Sequence, residues 1–149
     1  MTRKLSLILA LVVLFGLAGC ATEPLQSSEG NVKVTLPIRK TVVTFAKQPD
    51  DSWTGTLHTT GSARAFEAVV SWEAFRRVQG VDRSLGQGSF MTSAGAPEFG
   101  SFDELLSLTG DASLPAPEGT ATLRIFIASM KDGSQQDIVD IPLVLKAQP

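Results

Sequence analysis

The chain has 149 residues, 43% of them hydrophobic and 19% charged, a size and balance that suit one folded domain. Its 13 basic and 15 acidic residues form no basic run, which argues against nucleic acid and against electrostatic docking on anionic lipid, because both need clustered Lys and Arg. One cysteine and one histidine exclude an intramolecular disulfide, a cysteine-based zinc framework and a His-pair metal site, so no metal or cofactor is expected.

The chain opens with two positive charges, Arg3 and Lys4, followed by the almost wholly apolar run Leu5 to Leu17 and then Ala18-Gly19-Cys20. This is the pattern of a secretory signal peptide. As a helix, Leu5 to Gly19 reaches about 22 Å, short of the roughly 20 residues that a permanent span needs. Leu17-Ala18-Gly19-Cys20 resembles the bacterial lipobox. That resemblance implies cleavage after a signal peptide of residues 1–19, with diacylglycerol linked to Cys20 through a thioether. The loss of Arg3 and Lys4 takes the basic count from 13 to 11 against 15 acidic residues, a net charge of −4. Two or three acyl chains hold a domain on a membrane, where one is marginal. The expected location is therefore extracytoplasmic, lipid-anchored on the cell membrane or the outer membrane. Ala21, in place of Asp, permits outer-membrane export by the sorting rule of some two-membrane bacteria. Residues 20–31, rich in Ser, Glu, Gly and Pro, read as a flexible tether.

From residue 32 to 149 the signals are those of strands. Val32 to Leu36 alternates apolar and polar residues, and Val42 to Phe45 is a β-branched run. Leu57 to Ala63 is Thr-rich, with Gly61 a candidate bulge. Trp53, beside Asp50 and Asp51, reads as part of a polar turn. Ala68, Val70, Trp72 and Ala74 share one face of the next run, with Trp72 a core residue. Ser89 to Thr92 reads as a short strand after a long connection, Arg76 to Gln87. Phe102 to Leu108 suits a strand, although Glu104-Leu105-Leu106 also fits a helical turn. Leu123, Ile125 and Ile127 face one way in Thr122 to Ser129, and Val139, Ile141, Leu143 and Leu145 do so in the last run. Asp132-Gly133 between these two runs predicts an antiparallel hairpin. Pro142 must sit at an edge or where its missing N–H would point away from the ladder. Seven or eight short strands with turn signals every 8–12 residues predict an all-β antiparallel sandwich of immunoglobulin-like type.

Three blocks carry a family resemblance. They are Gly61-Ser62-Ala63-Arg64-Ala65-Phe66-Glu67-Ala68 with Val70 and Trp72; Gly88 to Glu98 with Gly100 and Phe102; and Phe126, Ser129 and Lys131 to Ser134 followed by Val139 to Leu143. In order and spacing they resemble the immunoglobulin-like domain of bacterial spore-germination proteins, often found beside a GerM domain, over residues 57–145. Arg76 to Gln87 is longer and more basic than the family's turn, and Ile127 stands where members often carry an acidic residue. No GerM domain precedes the sandwich.

The resemblance implies a non-catalytic domain. His58 lies in a Thr-rich run without a nucleophile motif such as G-x-S-x-G, and Asp50, Asp51 and Asp82 lack calcium-loop spacing. The candidate binding surface is Arg64, Phe66, Glu67, Pro97 and Glu98. Two readings of Arg64-Ala65-Phe66-Glu67 stand side by side. Either these residues form part of a contact face, or Phe66 packs at the rim while Arg64 and Glu67 make structural hydrogen bonds to loops. The segment Ser93 to Glu98 is a contact loop or a wide connection with special dihedral angles. The expected function is a lipid-anchored binding or structural module that contacts the membrane through its lipid and another envelope protein or a cell-wall glycan. The alternatives are an accessory subunit of a germination-type or cell-wall machine, and an envelope hydrolase of unrecognised type.

Overall fold

Side chains alternate between core and solvent along most strands whose burial is described in the computed structural model, which describes residues 25–36 and 41–148. Cys20 and the expected signal peptide, residues 1–19, lie outside the described residues. The strands are β1 (Leu25–Glu29), β2 (Val32–Leu36), β3 (Val42–Lys47), β4 (Trp53–Ala63), β5 (Val69–Val78), β6 (Val81–Met91), β7 (Gly100–Gly110), β8 (Gly119–Ala128) and β9 (Gln135–Gln148). A 3-10 turn, Phe66–Ala68, precedes β5.

The hydrogen-bonded order is β1-β2-β4-β3-β9-β8-β5-β6, with β7 on β4. β7, β4, β2 and β1 make one wall; β9, β8, β5 and β6 make the other. β3 turns the corner between them. It pairs antiparallel with β4 through Phe45 to Lys47 and parallel with β9 through Val42 to Ala46. The walls close on one core that includes Phe45, Leu57, Leu85, Leu108, Leu123, Ile125, Ile141 and Leu143, each no more than 2% exposed. Burying each such side chain is worth about 1.5–3 kcal/mol.

Trp72 lies on the core side of β5, under two glycines of β6. A Cβ on Gly88 would stand 3.0 Å from its Nε1, and one on Gly86 would stand 3.2 Å from its ring. Period-two burial also decides the ambiguous run: Phe102, Leu106 and Leu108 are buried while Leu105 is exposed, so β7 is a strand. Pro142 lies opposite Thr122 of β8. It shares the orientation of Val144, whose N–H donates to Thr41 at 2.9 Å on the side away from β8. The missing N–H therefore costs the β8–β9 ladder nothing.

Several expectations are corrected. The long connection Arg76 to Gln87 is the tip of a hairpin. Val78 pairs with Val81, and Gln79 and Gly80 turn the chain at φ 51° and 81°, the positive pair of a tight hairpin turn. The short strand expected at Ser89 to Thr92 is the end of the 11-residue β6. An irregularity beside Ala74 and Phe75 shifts the register so that Leu85 turns into the core. Arg76 also faces inward, 5% exposed, and its guanidinium donates to the carbonyls of Pro115 and Ala116, tying down the proline loop.

The stretch expected as tether contains β1, which pairs with β2 from Leu25↔Leu36 to Glu29↔Val32, around Gly30 at φ 49°. Its polar composition hides it in the sequence, where the pairing with β2 is not visible. Gly61 is no bulge: the β4–β7 register runs unbroken from Trp53↔Gly110 to Ala63↔Gly100. Trp53 opens β4 and packs against the core. The β8–β9 hairpin forms, but its turn is wider than two residues. Ser129 N–H donates to Ser134 at 2.8 Å, Gly133 has φ 70°, and Asp132 Oδ1 accepts from the N–H and hydroxyl of Ser134 at 3.1 and 2.7 Å.

Candidate functional site

The five candidate residues meet at one rim of the sandwich, where β4 runs out. Ala63 is the last residue of β4, and Arg64 N–H donates to the Asn31 carbonyl at 2.8 Å. Ala65, fully buried, anchors the turn that comes after it. Its carbonyl accepts from Ala68 N–H at 3.2 Å and from Ala96 N–H at 2.8 Å, so one oxygen joins the Phe66–Ala68 turn to the segment before Pro97. Thr92, buried, adds a second clasp. Its N–H donates to Ala68 at 2.8 Å, and its hydroxyl lies 3.2 Å from the Ala68 carbonyl and 2.6 Å from that of Ala94. Gly95 is required here, because a Cβ would come within 2.9 Å of Ala68 N.

The clasped turn holds two consecutive non-glycine residues in the left-handed region, Glu67 at φ 53° and Ala68 at φ 60°. Such a conformation costs about 1–2 kcal/mol per residue and persists only where the surroundings over-determine it. Its result is outward display: Phe66 is 62% exposed. Phe66 therefore does not pack at the rim in the way one of the two readings expected. Val69 and the directly opposed Met91, 39% and 67% exposed, extend the apolar surface. Pro97, which follows a cis peptide bond, Glu98 and Glu67 are exposed.

Arg64 does serve a loop, though with a partner from a distant part of the chain. Its Nε and Nη2 donate to Asn31 Oδ1 at 2.9 and 2.7 Å. Asn31 in turn donates through N and Nδ2 to the Asp137 carboxylate at 3.2 and 3.0 Å. Arg64 and Lys33 both lie over the Phe99 ring, 5.0 and 4.7 Å from its centroid, a favourable cation–π placement. Glu67 makes no hydrogen bond to Arg64. The rim thus offers apolar side chains beside two cations held by an aromatic ring. Phe99, Met91, Lys33 and Asn31 were not legible as part of it. Only the strand register that sets Ala63 opposite both Val32 and Gly100 brings them there.

A second ordered polar group escaped sequence reasoning. On the outer face of β8, Arg124 donates to both oxygens of Asp140 at 2.7 and 2.8 Å, to Glu73 at 3.3 Å and to Gln135 at 3.4 Å. Its guanidinium stands 5.4 Å from the Phe75 centroid. The Asp140 hydrogen bonds hold its pKa above the usual arginine value. His58 on β4 bonds the Asp103 carboxylate on β7. Among the described residues, no group of three or more His, Cys, Asp or Glu is arranged to hold a metal ion, and no helix is long and apolar enough to cross a membrane.

The family model described as the immunoglobulin-like domain of bacterial spore germination matches residues 31–134. No curated protein and no solved structure matches. Domains of this family are typically non-catalytic, which suggests a binding or structural module. The match spans more than two thirds of the chain and includes the rim's turn and loop and the strands from β2 to β8, so this chain belongs to the family of immunoglobulin-like domains of bacterial spore germination.

Proposed function

We propose that this protein is a lipoprotein, anchored through Cys20, whose immunoglobulin-like body uses its Phe66 rim to bind another component of the cell envelope. The observation that carries the reading is the strained, doubly clasped turn that holds Phe66 62% exposed. A large apolar side chain displayed at an energetic cost is a binding feature. Arg64 and Lys33 beside it favour a protein partner with acidic residues around an apolar pocket.

The direction of β1 supports the same arrangement. The five residue steps from Cys20 to Leu25 reach at most about 18 Å. β1 then runs from Leu25 to Glu29, toward the end of the sandwich where Asn31 bonds Arg64. An acyl-anchored body would stand near the bilayer with its rim at the far end, open to a partner. Tethering raises the effective concentration for such a contact. The germination description of the family favours, as a second reading, an accessory subunit of a larger envelope machine in which the rim is the docking point.

Two measurements test the proposal. Mass spectrometry of the protein from native membranes should show acylated Cys20 at the mature N-terminus; an unmodified thiol would refute the anchor. A photo-crosslinking residue at position 66 should capture a discrete envelope partner, and the same probe on the exposed Thr44 should not. Equal labelling from both positions would refute the rim as the contact.

A further inference from the structure

The outer surface around β5 carries a feature that the rim does not use. Ser71, Glu73 and Phe75 alternate with the core-facing residues of β5. On β8, Phe126 stands opposite Ser71 and Arg124 opposite Glu73. On β6, Ser89 and Gln87 stand opposite Ser71 and Glu73 on the other side. Three depressions merge over this surface. The central one, about 310 Å³ and so at the small end of ligand sites, is lined by Glu73, Phe75, Gln87 and Arg124 among others. It shares Glu73 and Gln87 with a second that reaches Phe126 and Gln135, and Phe75 and Asp82 with a third that reaches Thr122 and Pro142. The resulting furrow follows β5 from Ser71 to Arg77, about 20 Å at the rise of a strand.

The chemistry of the lining narrows what fits. Every cation in it is already paired. Arg124 is bound to Asp140, Glu73 and Gln135, and Arg77 to both oxygens of Asp82 at 2.9 and 3.2 Å. An anionic ligand therefore finds no free counter-charge. The furrow is open and shallow, without the fully desolvated pocket that an anchoring side chain of a protein partner needs. What it does offer is the half-buried ring of Phe126 and polar groups that bond no other described residue: the Gln87 amide and the hydroxyls of Ser71 and Ser89. Amides and hydroxyls donate and accept alike, and an aromatic face takes the apolar face of a flat ring. The geometry points to a second binding site, for an uncharged oligosaccharide lying along β5, with a sugar ring on Phe126 and its hydroxyls on Gln87, Ser71 and Ser89. The fixed Glu73–Arg124 pair supplies charge-assisted acceptors and donors at the centre of the path.

The site is separate from both the rim and the lipid. The test is calorimetric titration of the full chain in detergent with cellohexaose and with chitohexaose, followed by aromatic NMR. At least one of them should bind and shift the Phe126 and Phe75 resonances. Phe126→Ala should weaken binding about tenfold, the upper range for a lost aromatic contact. Gln87→Ala, on an exposed side chain and so harmless to the fold, should weaken it about fivefold. Phe66→Ala and Cys20→Ser should change nothing, so the sugar site and the rim contact can fail independently. Three results would overturn the assignment: no heat or shift with either sugar, unchanged affinity in Gln87→Ala, or shifts centred on the rim.

Discussion

Glu67 illustrates how much one residue can reveal. Its side chain is exposed and its backbone is left-handed, so the strain is borne by the clasps on its neighbours and not by a hydrogen bond of its own side chain. Glu67→Gly should therefore stabilise the protein by about 1 kcal/mol, the cost a glycine avoids, read as a rise in the denaturant midpoint. It should also weaken partner capture at position 66, because the turn loses its pre-set direction. Thr59 poses the opposite case. It is fully buried in β4, and its hydroxyl has no hydrogen-bond partner among the described residues. Thr59→Val keeps the shape and removes the unpaired group, and should raise stability by about 1 kcal/mol in chemical denaturation.

Among the elements, β4 bears the most neighbours: β7 along one edge, and β2 and β3 along the other. Gly61 sits where β2 and β7 both reach β4. A Cβ there would lie 2.2 Å from the Lys33 carbonyl and 2.5 Å from the Phe102 ring. The obstacle is backbone on one side and a core ring on the other, so neither can simply rotate away. Gly61→Ala should cost about 2–3 kcal/mol by overpacking, visible as a lower melting temperature and faster amide exchange in β2. The turns share a simpler device. Asp50, Asp111 and Asp132 each accept hydrogen bonds from the backbone and hydroxyl of the serine two residues on. These bonds, the hydroxyl's first, lower all three carboxyl pKa values. A depressed folded-state pKa stabilises above the unfolded value, near 3.8, and that contribution is lost as pH falls through the folded value. Stability should thus fall below about pH 4, and Asp111→Asn should flatten the acid limb of a pH–stability curve.

For the whole molecule, the two surfaces differ in chemistry. The rim is apolar and flanked by cations; the furrow on β5 and β8 is polar and charge-balanced. The fold keeps them on different elements, so each can be altered alone. Phe66→Ala should leave stability within about 0.5 kcal/mol, as for a surface change, while abolishing the partner contact. A loss of folding in that variant, measured by circular dichroism, would mean that Phe66 belongs to the core.

What the sequence determined by itself is the alternation. Val70, Trp72 and Ala74, then Leu123 and Ile125, then Val139 to Leu145, were readable as core-facing, because period-two burial is written in each segment's own residues. The Arg64 to Glu67 and Ser93 to Glu98 segments were readable as special because their composition fits neither strand nor helix. Apart from the β8–β9 hairpin, which Asp132-Gly133 announces, only the tertiary structure decided who meets whom. β4 joins β7 from far along the chain, β3 lies parallel to β9, and β1 is held by β2 despite its polar composition. Arg64 bonds Asn31 in place of Glu67, and Arg124 gathers Glu73 from β5 and Gln135 and Asp140 from β9. Such pairings are chosen by the summed burial and hydrogen bonding of segments remote in sequence, a quantity that no single segment contains.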